Sequence, residues 1–403
     1  MTESHHTSAP PLDGLLVVDL SRVLSGPYCT MLLADMGARV IKIEQPGRGD
    51  DTRGWGPPFV AGESAYFLSV NRNKESLTLD FKHPEGRRIL DALIERADVV
   101  VENFRPGTLD RLGLGYADVS PRRPGLLYCS ISGFGQTGPR RASPGYDAVI
   151  QAEGGLMSIT GPEDGSPHRL GVAIGDLVTG MFATQGILLA LLARATAGRG
   201  QHIDVAMLDS VVAMLTYQAG IYFTTGRAPV RLGNRHPTIA PYETFETSDG
   251  ELVLAVGNDE IWKRFCRVAG LDALAGDARF VTNAGRVSHY AELRPLVAAA
   301  LRRRSRADWV AALDAAGVPA GSVRDLGEVF SDEHLRAREM VETVQHPAAG
   351  PIQVLGLPIK LSETGGRIRR PPPVLGEHTE SILMADLGLD AETVARLRQA
   401  GAV

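Results

Sequence analysis

Residues 15–135 alternate between short apolar runs and helix-like stretches, and this alternation limits the fold more than any other feature of the sequence. The apolar runs have the length of buried strands, and Pro27 and Pro84 each suit the first turn of an intervening helix. The predicted strands are Leu15–Leu20, Ala38–Glu44, Ser76–Phe81, Asp98–Phe104 and Leu126–Ser132. Strands that alternate with helices pair in parallel and are covered on both faces. The sequence therefore predicts an α/β fold whose large domain is doubly wound and Rossmann-like.

The chain of 403 residues is too long for one ordinary core, and its pattern changes near Arg235. Before that point, 177–196 and 208–223 are predicted as long helices. After it, Ser248-Asp249-Gly250 joins two β-rich runs as a hairpin signal, and further helical segments follow. We therefore expect a large domain formed by 1–225 and 336–403, with a smaller α+β domain at 226–335.

Composition and charge exclude several classes of partner. The formal net charge of −5 does not suit a nucleic-acid-binding protein. The three cysteines, Cys29, Cys129 and Cys266, form no CxxC pair, so neither a disulfide framework nor a zinc site is expected, and a reducing, cytoplasmic location fits. Residues 1–11 lack the apolar segment of a signal peptide and are expected to be a disordered lead-in. The apolar stretch 177–193 falls short of the ~20 residues of a membrane span, which predicts a buried core helix and no membrane partner.

The loop after the first strand lacks the spaced glycines of a dinucleotide-binding loop, which argues against a nicotinamide enzyme. Cations follow three of the strand ends of the predicted sheet. Arg22 follows the first strand, Lys82 follows the third, and Arg105 and Arg111 follow the fourth. Each of these side chains alone is typical of a solvated surface charge. Together they suit a polyanionic ligand such as a phosphate or diphosphate.

Asp176 precedes a predicted long helix and allows two interpretations. As an N-cap it would contribute ~1 kcal/mol to stability, and the residue considered alone favours this interpretation. As a nucleophile, its carboxylate would be kept ionised by the helix dipole and would attack an activated acyl group. The polar segment Gly257-Asn258 is explained, on its own, by an ordinary turn.

Many short motifs occur in a fixed order along nearly the whole chain. They are VVDLSRVLSGP, GARVIKIEQPGRGD, TRGW, NRNKESLTLDFK, ADVVVENFRPGTLDRLG, SGFGQTGP, GYDAVIQA, GDLVTGM, GRGQHIDVAMLD, GNRHP followed by PYETF, and PPPVLGEHT. Each motif is weak alone, but their joint order is not expected by chance. In these motifs the chain resembles the class III CoA-transferases, whose members include formyl-CoA:oxalate and carnitine-type CoA-transferases.

The resemblance implies a role for each matching residue. Asp176, in GDLVTGM, matches the family's catalytic aspartate, and Gly257-Asn258 lies where the family has a mobile loop that covers the nucleophile. The residues assigned to CoA binding are Arg22, Val23, Leu79, Lys82, Asn103, Phe104, Arg105, Arg111 and Tyr146.

The resemblance also implies a reaction. CoA would move from an acyl-CoA donor, with succinyl-CoA as the expected example, to a small carboxylic acid through a covalent aspartyl intermediate. Coenzyme A is then a substrate, no metal is required, and the family architecture is an intertwined homodimer. A CoA-binding protein without catalysis is the non-enzyme alternative.

The α-methylacyl-CoA racemases share this fold and provide the alternative function. They use a histidine in a Gly-His-Asp segment to move the α-proton, whereas this chain has Gly145-Tyr146-Asp147. A tyrosine with a pKa of about 10 is a poor base at neutral pH. This segment therefore favours the transferase.

Overall fold

The computed structural model of the protein describes residues 9–403 and contains a six-stranded sheet whose neighbouring strands are all parallel. Its strands are β1 (Leu16–Asp19), β2 (Arg39–Glu44), β5 (Lys74–Thr78), β6 (Val99–Glu102), β7 (Leu127–Ser132) and β8 (His202–Ala206), while β3 (Phe59–Val60) and β4 (Glu63–Ser64) form a separate hairpin. The predicted parallel sheet is confirmed. Most of the lead-in expected at residues 1–11 lies outside the described residues.

The sheet is covered on both faces, as a doubly wound fold requires. Successive residues of one strand enter different cores: Val17 and Val99 belong to one hydrophobic cluster, whereas Val18 and Val100 belong to another. The strand order β5-β2-β1-β6-β7-β8 reverses direction between β1 and β6. Because ligands of open α/β sheets bind at the carboxyl ends of the strands beside such a reversal, the topology places the expected site after β1 and β6.

Strand β5 begins at Lys74, ahead of its predicted start at Ser76. Charged residues seldom lie in the interior, so the sequence pattern excludes Lys74 from the strand. Its ammonium group is nevertheless buried, because it donates hydrogen bonds to Asp19 Oδ2 at 3.2 Å and to two other oxygens. The strand also ends early, at Thr78, so Leu79 lies in the connection to the next helix.

Helices follow the strands in the order that the sequence predicts. Those before residue 230 are α1 (Ser25–Asp35), α2 (Ala65–Val70), α3 (Pro84–Arg96), α4 (Tyr116–Val119), α5 (Asp147–Glu153), α6 (Ile174–Ala197), α7 (Met207–Ala213) and α8 (Thr216–Thr225). Pro84 occupies the first turn of α3, as predicted, and an apolar stripe that includes Leu90 and Leu93 faces the core. The single helix predicted at 208–223 is instead two helices, α7 and α8, and Thr216 at their junction has a φ of 36°.

Helix α6 is longer and less buried than the sequence predicted. Gly180 and Ile187 lie on its buried face, but Leu189 and Leu192 are 66% and 70% exposed. By length and composition alone, this 24-residue helix is apolar enough to cross a membrane, and 28% of its most apolar window is buried. The prediction of a buried core helix is therefore wrong for one of its faces.

The chain divides into two compact units. The first contains the described residues up to Leu156, Leu170–Tyr217 and Glu333–Val403, and it holds the parallel sheet. Its C-terminal part consists of α15 (Glu333–Ala337), an antiparallel hairpin of β12 (Val341–His346) and β13 (Gly350–Leu355), α16 (Thr379–Leu387) and α17 (Ala391–Gln399).

The second unit, formed by Met157–Arg169 and Gln218–Asp332, is a smaller α+β structure. It contains the antiparallel sheet β11-β10-β9 and a set of helices around one apolar core that includes Trp262 and Trp309. Its elements are β9 (Tyr242–Glu246), β10 (Glu251–Ala255), β11 (Ala320–Ser322), α9 (Asp259–Ala269), α10 (Asp272–Ala275), α11 (Asn283–Ser288), α12 (Tyr290–Leu301), α13 (Arg306–Ala315) and α14 (Leu326–Phe330). The hairpin predicted at 248–250 is confirmed by the pairing of β9 with β10.

The boundaries of these units differ from the 225 and 335 that the sequence suggests. The segment 157–169 belongs to the second unit, where Gly161 accepts a hydrogen bond from the Gly233 N–H at 3.0 Å. This contact joins parts of the chain that are distant in sequence. No local pattern in the sequence indicates this contact, and the sequence therefore predicts that residues 157–169 belong to the large domain.

Candidate active site

A cavity of about 230 Å³ lies at the carboxyl ends of β1 and β6, where the strand order reverses. It brings together seven of the residues predicted from the sequence, namely Arg22, Val23, Asn103, Phe104, Arg105, Tyr146 and Asp176. These side chains come from four separate segments of the first unit. The cavity therefore has the place and the residue types that the sequence predicted for a CoA ester beside a carboxylate.

The other predicted residues lie outside the lining of this cavity. Leu79 is 1% exposed and packs in the core. Lys82 and Arg111 are exposed on the surface of the first unit. Gly257 and Asn258 belong to the second unit, where the Asn258 side chain caps α9 by accepting a hydrogen bond from the Ile261 N–H at 2.9 Å.

Asp176 does not cap its helix. Helix α6 begins at Ile174, so Asp176 lies within its first turn, and the N-cap position is occupied by Ala173 without a side-chain hydrogen bond. The capping interpretation of Asp176 is therefore wrong. The carboxylate instead lines the cavity together with Ser25, at the start of α1, and the hydroxyl and backbone N–H of Ser25 favour its ionised form by lowering its pKa.

The environment of Asp176 does not keep it strongly acidic, contrary to the expectation from its helix dipole. Burial, followed by the negative charge of Asp147, raises the pKa of Asp176 to about 7, against the opposing effect of the Ser25 donors. Burial also raises the pKa of Tyr66 to about 12, with Asp176 and Asp147 contributing. The carboxylate is thus neither fully solvated nor neutralised by an ion pair, and near pH 7 it changes between its protonated and nucleophilic forms.

Two glycines of the GDLVTGM motif allow this arrangement. The Gly175 N–H donates to Asp147 Oδ1 at 2.8 Å, and a Cβ on Gly175 would lie 3.0 Å from that oxygen. A Cβ on Gly180 would lie 2.7 Å from the backbone oxygen of Ser25. The glycines therefore let α6 approach both Asp147 and the start of α1, which places Asp176 beside Ser25.

Asn103 joins the two loops that form the cavity. Its side-chain oxygen accepts a hydrogen bond from the Arg22 N–H at 2.9 Å, and its Nδ2 donates to the Arg22 carbonyl oxygen at 2.7 Å. The Arg22 guanidinium lies over the Phe104 ring, 5.4 Å from its centroid, and 3.4 Å from Asp51 Oδ2. The Asn103 side chain therefore fixes the backbone of Arg22, whereas the Arg22 side chain is about half exposed and lines the cavity.

The predicted Tyr146 lies at the start of α5 and is 68% exposed in the cavity lining. Its position depends on a close backbone crossing, because a Cβ on Gly145 would lie 2.8 Å from the Gly133 Cα. Both glycines belong to motifs noted in the sequence, SGFG and GYD. The phenol is therefore accessible to a ligand in the cavity.

Sequence reasoning missed Ser25, Asp147 and Tyr66 as neighbours of the carboxylate. Ser25 and Asp147 lie inside recognised motifs, VLSGP and GYD, but nothing in their spacing from Asp176 indicates a contact. Tyr66 lies in α2 and has no such signal.

The described residues 9–403 hold no group of three or more histidine, cysteine or acidic side chains with the arrangement of a metal site. Glu44, at the position where dinucleotide-binding folds place an acidic ribose ligand, is instead paired with Arg53 through two contacts of 2.8 Å. Cys29, Cys129 and Cys266 are free and buried.

Comparisons of the sequence with a protein family and with individual known proteins agree on the family of this chain. The family description "CoA-transferase family III" matches residues 12–379. The chain is 43% identical over 401 residues to a mouse succinyl-CoA:glutarate CoA-transferase, covering 100% of this chain and 92% of that protein. It is 44% identical over 393 residues to a succinate–glutarate CoA-transferase of Agrobacterium fabrum, covering 96% and 97%.

A solved structure supports the same relation at the level of the fold. The crystal structure of a CAIB/BAIF family protein from Brucella suis matches with a TM-score of 0.84 and 43% identity, over 94% of this chain and 100% of that chain. With its parallel sheet, its motifs and these full-length matches, the chain belongs to CoA-transferase family III and is a CoA-transferase.

Proposed function

We propose that this enzyme transfers CoA from a dicarboxylic acyl-CoA, such as succinyl-CoA, to a small dicarboxylic acid, with Asp176 as the covalent nucleophile. The observation that carries the proposal is the position of the Asp176 carboxylate: it lines the cavity at the reversal of strand order and contacts Ser25 rather than capping its own helix. The relatives named above act on succinate and glutarate. Their names support acids of this size.

Both nucleophiles in the first half of the reaction are anions, namely the ionised form of the Asp176 carboxylate and the CoA thiolate. An Asp176 oxygen attacks the thioester carbonyl carbon, the C–S bond breaks, and a mixed anhydride forms with release of CoA thiolate. The thiolate then attacks the Asp176 carbonyl carbon and displaces the donor acid as its carboxylate. An aspartyl–CoA thioester remains.

The acceptor acid reverses these steps. Its carboxylate attacks the aspartyl thioester, CoA thiolate leaves, and the thiolate then attacks the acceptor's acyl carbon and regenerates the Asp176 carboxylate. The cavity must hold the thiolate close and exclude water, because both intermediates hydrolyse. The Gly257-Asn258 segment is proposed as the mobile cover of the nucleophile, with backbone N–H groups that could stabilise an oxyanion when it closes.

The proposed CoA contacts follow from chemistry and position. Arg22, Val23, Asn103, Phe104, Arg105 and Tyr146 line the cavity with Asp176. Lys82 and Arg111 are exposed cations suited to the nucleotide phosphates. Leu79 would contribute through its backbone, because its side chain is buried.

The decisive variant is Asp176→Ala. We expect it to abolish transfer while acyl-CoA binding, measured by calorimetry, is retained. In the wild type, hydroxylamine added with acyl-CoA should leave a hydroxamate on Asp176, detected by peptide mass spectrometry, because a covalent carboxyl intermediate is open to that attack.

Asp209→Ala is the matched control, since Asp209 holds a first-turn position in α7 but does not line the cavity. It should transfer CoA normally. Turnover by Asp176→Ala at more than a trace of the wild-type rate would reject the nucleophile.

The racemase alternative is tested at a different atom. A racemase removes the α-proton, so its substrate gains deuterium in deuterated water without any second acid. Because Tyr146 stands where racemases have histidine, we expect no enzyme-dependent α-deuterium in the acyl-CoA, measured by mass spectrometry. Rapid α-exchange without a hydroxylamine adduct would favour the racemase.

We also propose that the enzyme works as an intertwined homodimer in the cytoplasm and that it needs no metal. The exposed apolar face of α6 supports the dimer, because apolar patches of this kind mark contact surfaces. The buried free thiols are compatible with a reducing compartment.

A further inference from the structure

The loop from the end of β1 to the first residue of α1 carries three residues that line the proposed site: Arg22, Val23 and Ser25. Its conformation is unusual, because Val23 has a φ of 71°. A left-handed conformation is unfavourable for a β-branched residue. The loop therefore needs fixed partners to persist in this form.

Two buried charged side chains supply those partners. The Val23 N–H donates to both carboxylate oxygens of Asp50, each at 3.2 Å. Lys42 Nζ lies 2.8 Å from Asp50 Oδ2 and also donates to the Ser21 carbonyl oxygen at 2.9 Å. The side chains of Lys42 and Asp50 are 1% and 0% exposed. The pair thus binds the backbone on both sides of Arg22, while Asn103 binds Arg22 itself.

Asp50 is itself held by its neighbours. Thr52 donates to Asp50 Oδ1 from its N–H at 3.0 Å and its hydroxyl at 2.8 Å. The Asp50 N–H donates to Glu44 Oε2 at 2.9 Å, and Glu44 is paired with Arg53. The motifs GARVIKIEQPGRGD and TRGW therefore both supply residues to the hydrogen-bonded group that holds Asp50 in place.

Stability alone is a poor explanation for this pair. Removing two charges from water is costly, and an apolar pair of similar volume is often as stable. Besides pairing with Asp50, Lys42 donates a hydrogen bond to the carbonyl oxygen of Ser21 in the loop. Asp50 likewise accepts a hydrogen bond from the loop N–H of Val23. Both side chains of the pair therefore fix the backbone of the loop.

We propose that Lys42 and Asp50 are positioning residues for CoA transfer, which hold the 21–23 backbone so that the Ser25 donors meet the Asp176 carboxylate. This inference rests on the proposed function of Asp176. Neither side chain lines the cavity, so both act through the loop.

The test replaces the pair by apolar residues of similar size, Lys42→Met with Asp50→Leu. This double variant leaves no unpaired buried charge, so we expect a folded protein. Its kcat should nevertheless fall at least tenfold, with a smaller change in the KM for acyl-CoA. The acid limb of its kcat/KM profile should move to higher pH, because the Ser25 hydrogen bonds that lower the pKa of Asp176 are weakened.

The matched control is another buried ion pair of the same unit, Arg72→Met with Asp35→Leu. The Arg72 guanidinium lies 2.6 Å from Asp35 Oδ2, their side chains are 3% and 1% exposed, and Asp35 is at the end of α1 opposite Ser25. This variant should keep kcat within twofold. If the Lys42 and Asp50 double variant does not fold, the neutral polar pair Lys42→Gln with Asp50→Asn, which also leaves no unpaired buried charge, should show the same direction of kcat loss and pH shift.

Wild-type kcat and an unmoved acid limb in the folded Lys42 and Asp50 variants would overturn the inference, as would an equal loss of kcat in the control. Failure of the proposed function is distinguishable, because it would appear as retained transfer in Asp176→Ala.

Discussion

At Asp176, opposing influences act on one carboxylate. Burial and the Asp147 charge favour its protonated form, while the Ser25 hydrogen bonds favour the anion. The result is a pKa of about 7 rather than the 3.8 of a free side chain. A less acidic carboxylate is a stronger nucleophile once ionised, and this is useful for attack on a thioester.

The first residue-scale prediction concerns pH. Only ionised Asp176 attacks, so kcat/KM should rise with pH through about 7 and fall on the acid side. Asp147→Asn removes a neighbouring negative charge and keeps an oxygen for the Gly175 N–H, so it should move the acid limb to lower pH. The measurement is kcat/KM from pH 5 to 9 with one acyl-CoA.

The control is Asp51→Asn. Asp51 also lines the cavity, but it is not among the groups that shift the pKa of Asp176. The acid limb of the kcat/KM profile of Asp51→Asn should therefore stay at the wild-type pH. A wild-type limb near pH 4 would contradict the raised pKa.

The residues of the site differ in how far the sequence predicts them. Seven residues of the cavity lining, one of which is Asp176, are predicted as site residues because they lie in recognisable motifs. Ser25 and Asp147 were missed as its partners, since contacts between segments so far apart follow from the packing of α1, α5 and α6. The capping interpretation failed because the sequence placed the start of α6 after Asp176 instead of at Ile174.

At the scale of elements, local patterns predicted the parallel sheet because strands such as β1, β6 and β7 are short apolar runs that are largely buried. The same reasoning placed β5 too late, at Ser76, because buried Lys74 is satisfied by Asp19, a partner on another strand. The crossing of α1 and α6 is the element contact on which the site depends most, and the sequence indicates it only through glycines whose role the structure explains.

The prediction for this crossing is made with Gly180→Ala. A Cβ there would lie 2.7 Å from the Ser25 backbone oxygen, so α6 must move away from α1. We expect the unfolding free energy to fall by about 1–3 kcal/mol, and kcat to fall because Asp176 and Ser25 separate. Urea unfolding and steady-state kinetics measure the two effects.

Gly220→Ala is the matched control, because a Cβ at Gly220 in α8 meets nothing within 4 Å. It should be neutral or stabilising by up to ~1 kcal/mol. Full activity and unchanged stability in Gly180→Ala would show that the crossing tolerates a side chain and that the close approach is not required.

At the scale of the whole molecule, the described chain leaves a large apolar face uncovered on α6. The exposed members are Met181, Phe182, Leu188, Leu189 and Leu192, with exposures from 37% to 70%. Isolated exposed leucines are common, but a row of this kind on one helix is typical of a contact surface. The intertwined dimer implied by the family resemblance would cover it and remains a prediction.

The last prediction tests that dimer. Wild-type protein should show twice the mass of one chain in light scattering at every practical concentration, because intertwined chains separate only by unfolding. Leu189→Glu with Leu192→Glu should yield little folded dimer, since two carboxylates would have to be buried at the contact. Leu326→Glu is the control: Leu326 is 72% exposed on α14 of the second unit, so the substitution should leave assembly and activity unchanged. A wild-type enzyme that is monomeric and fully active, or a Leu189 and Leu192 double variant that assembles normally, would show that this face of α6 has another role.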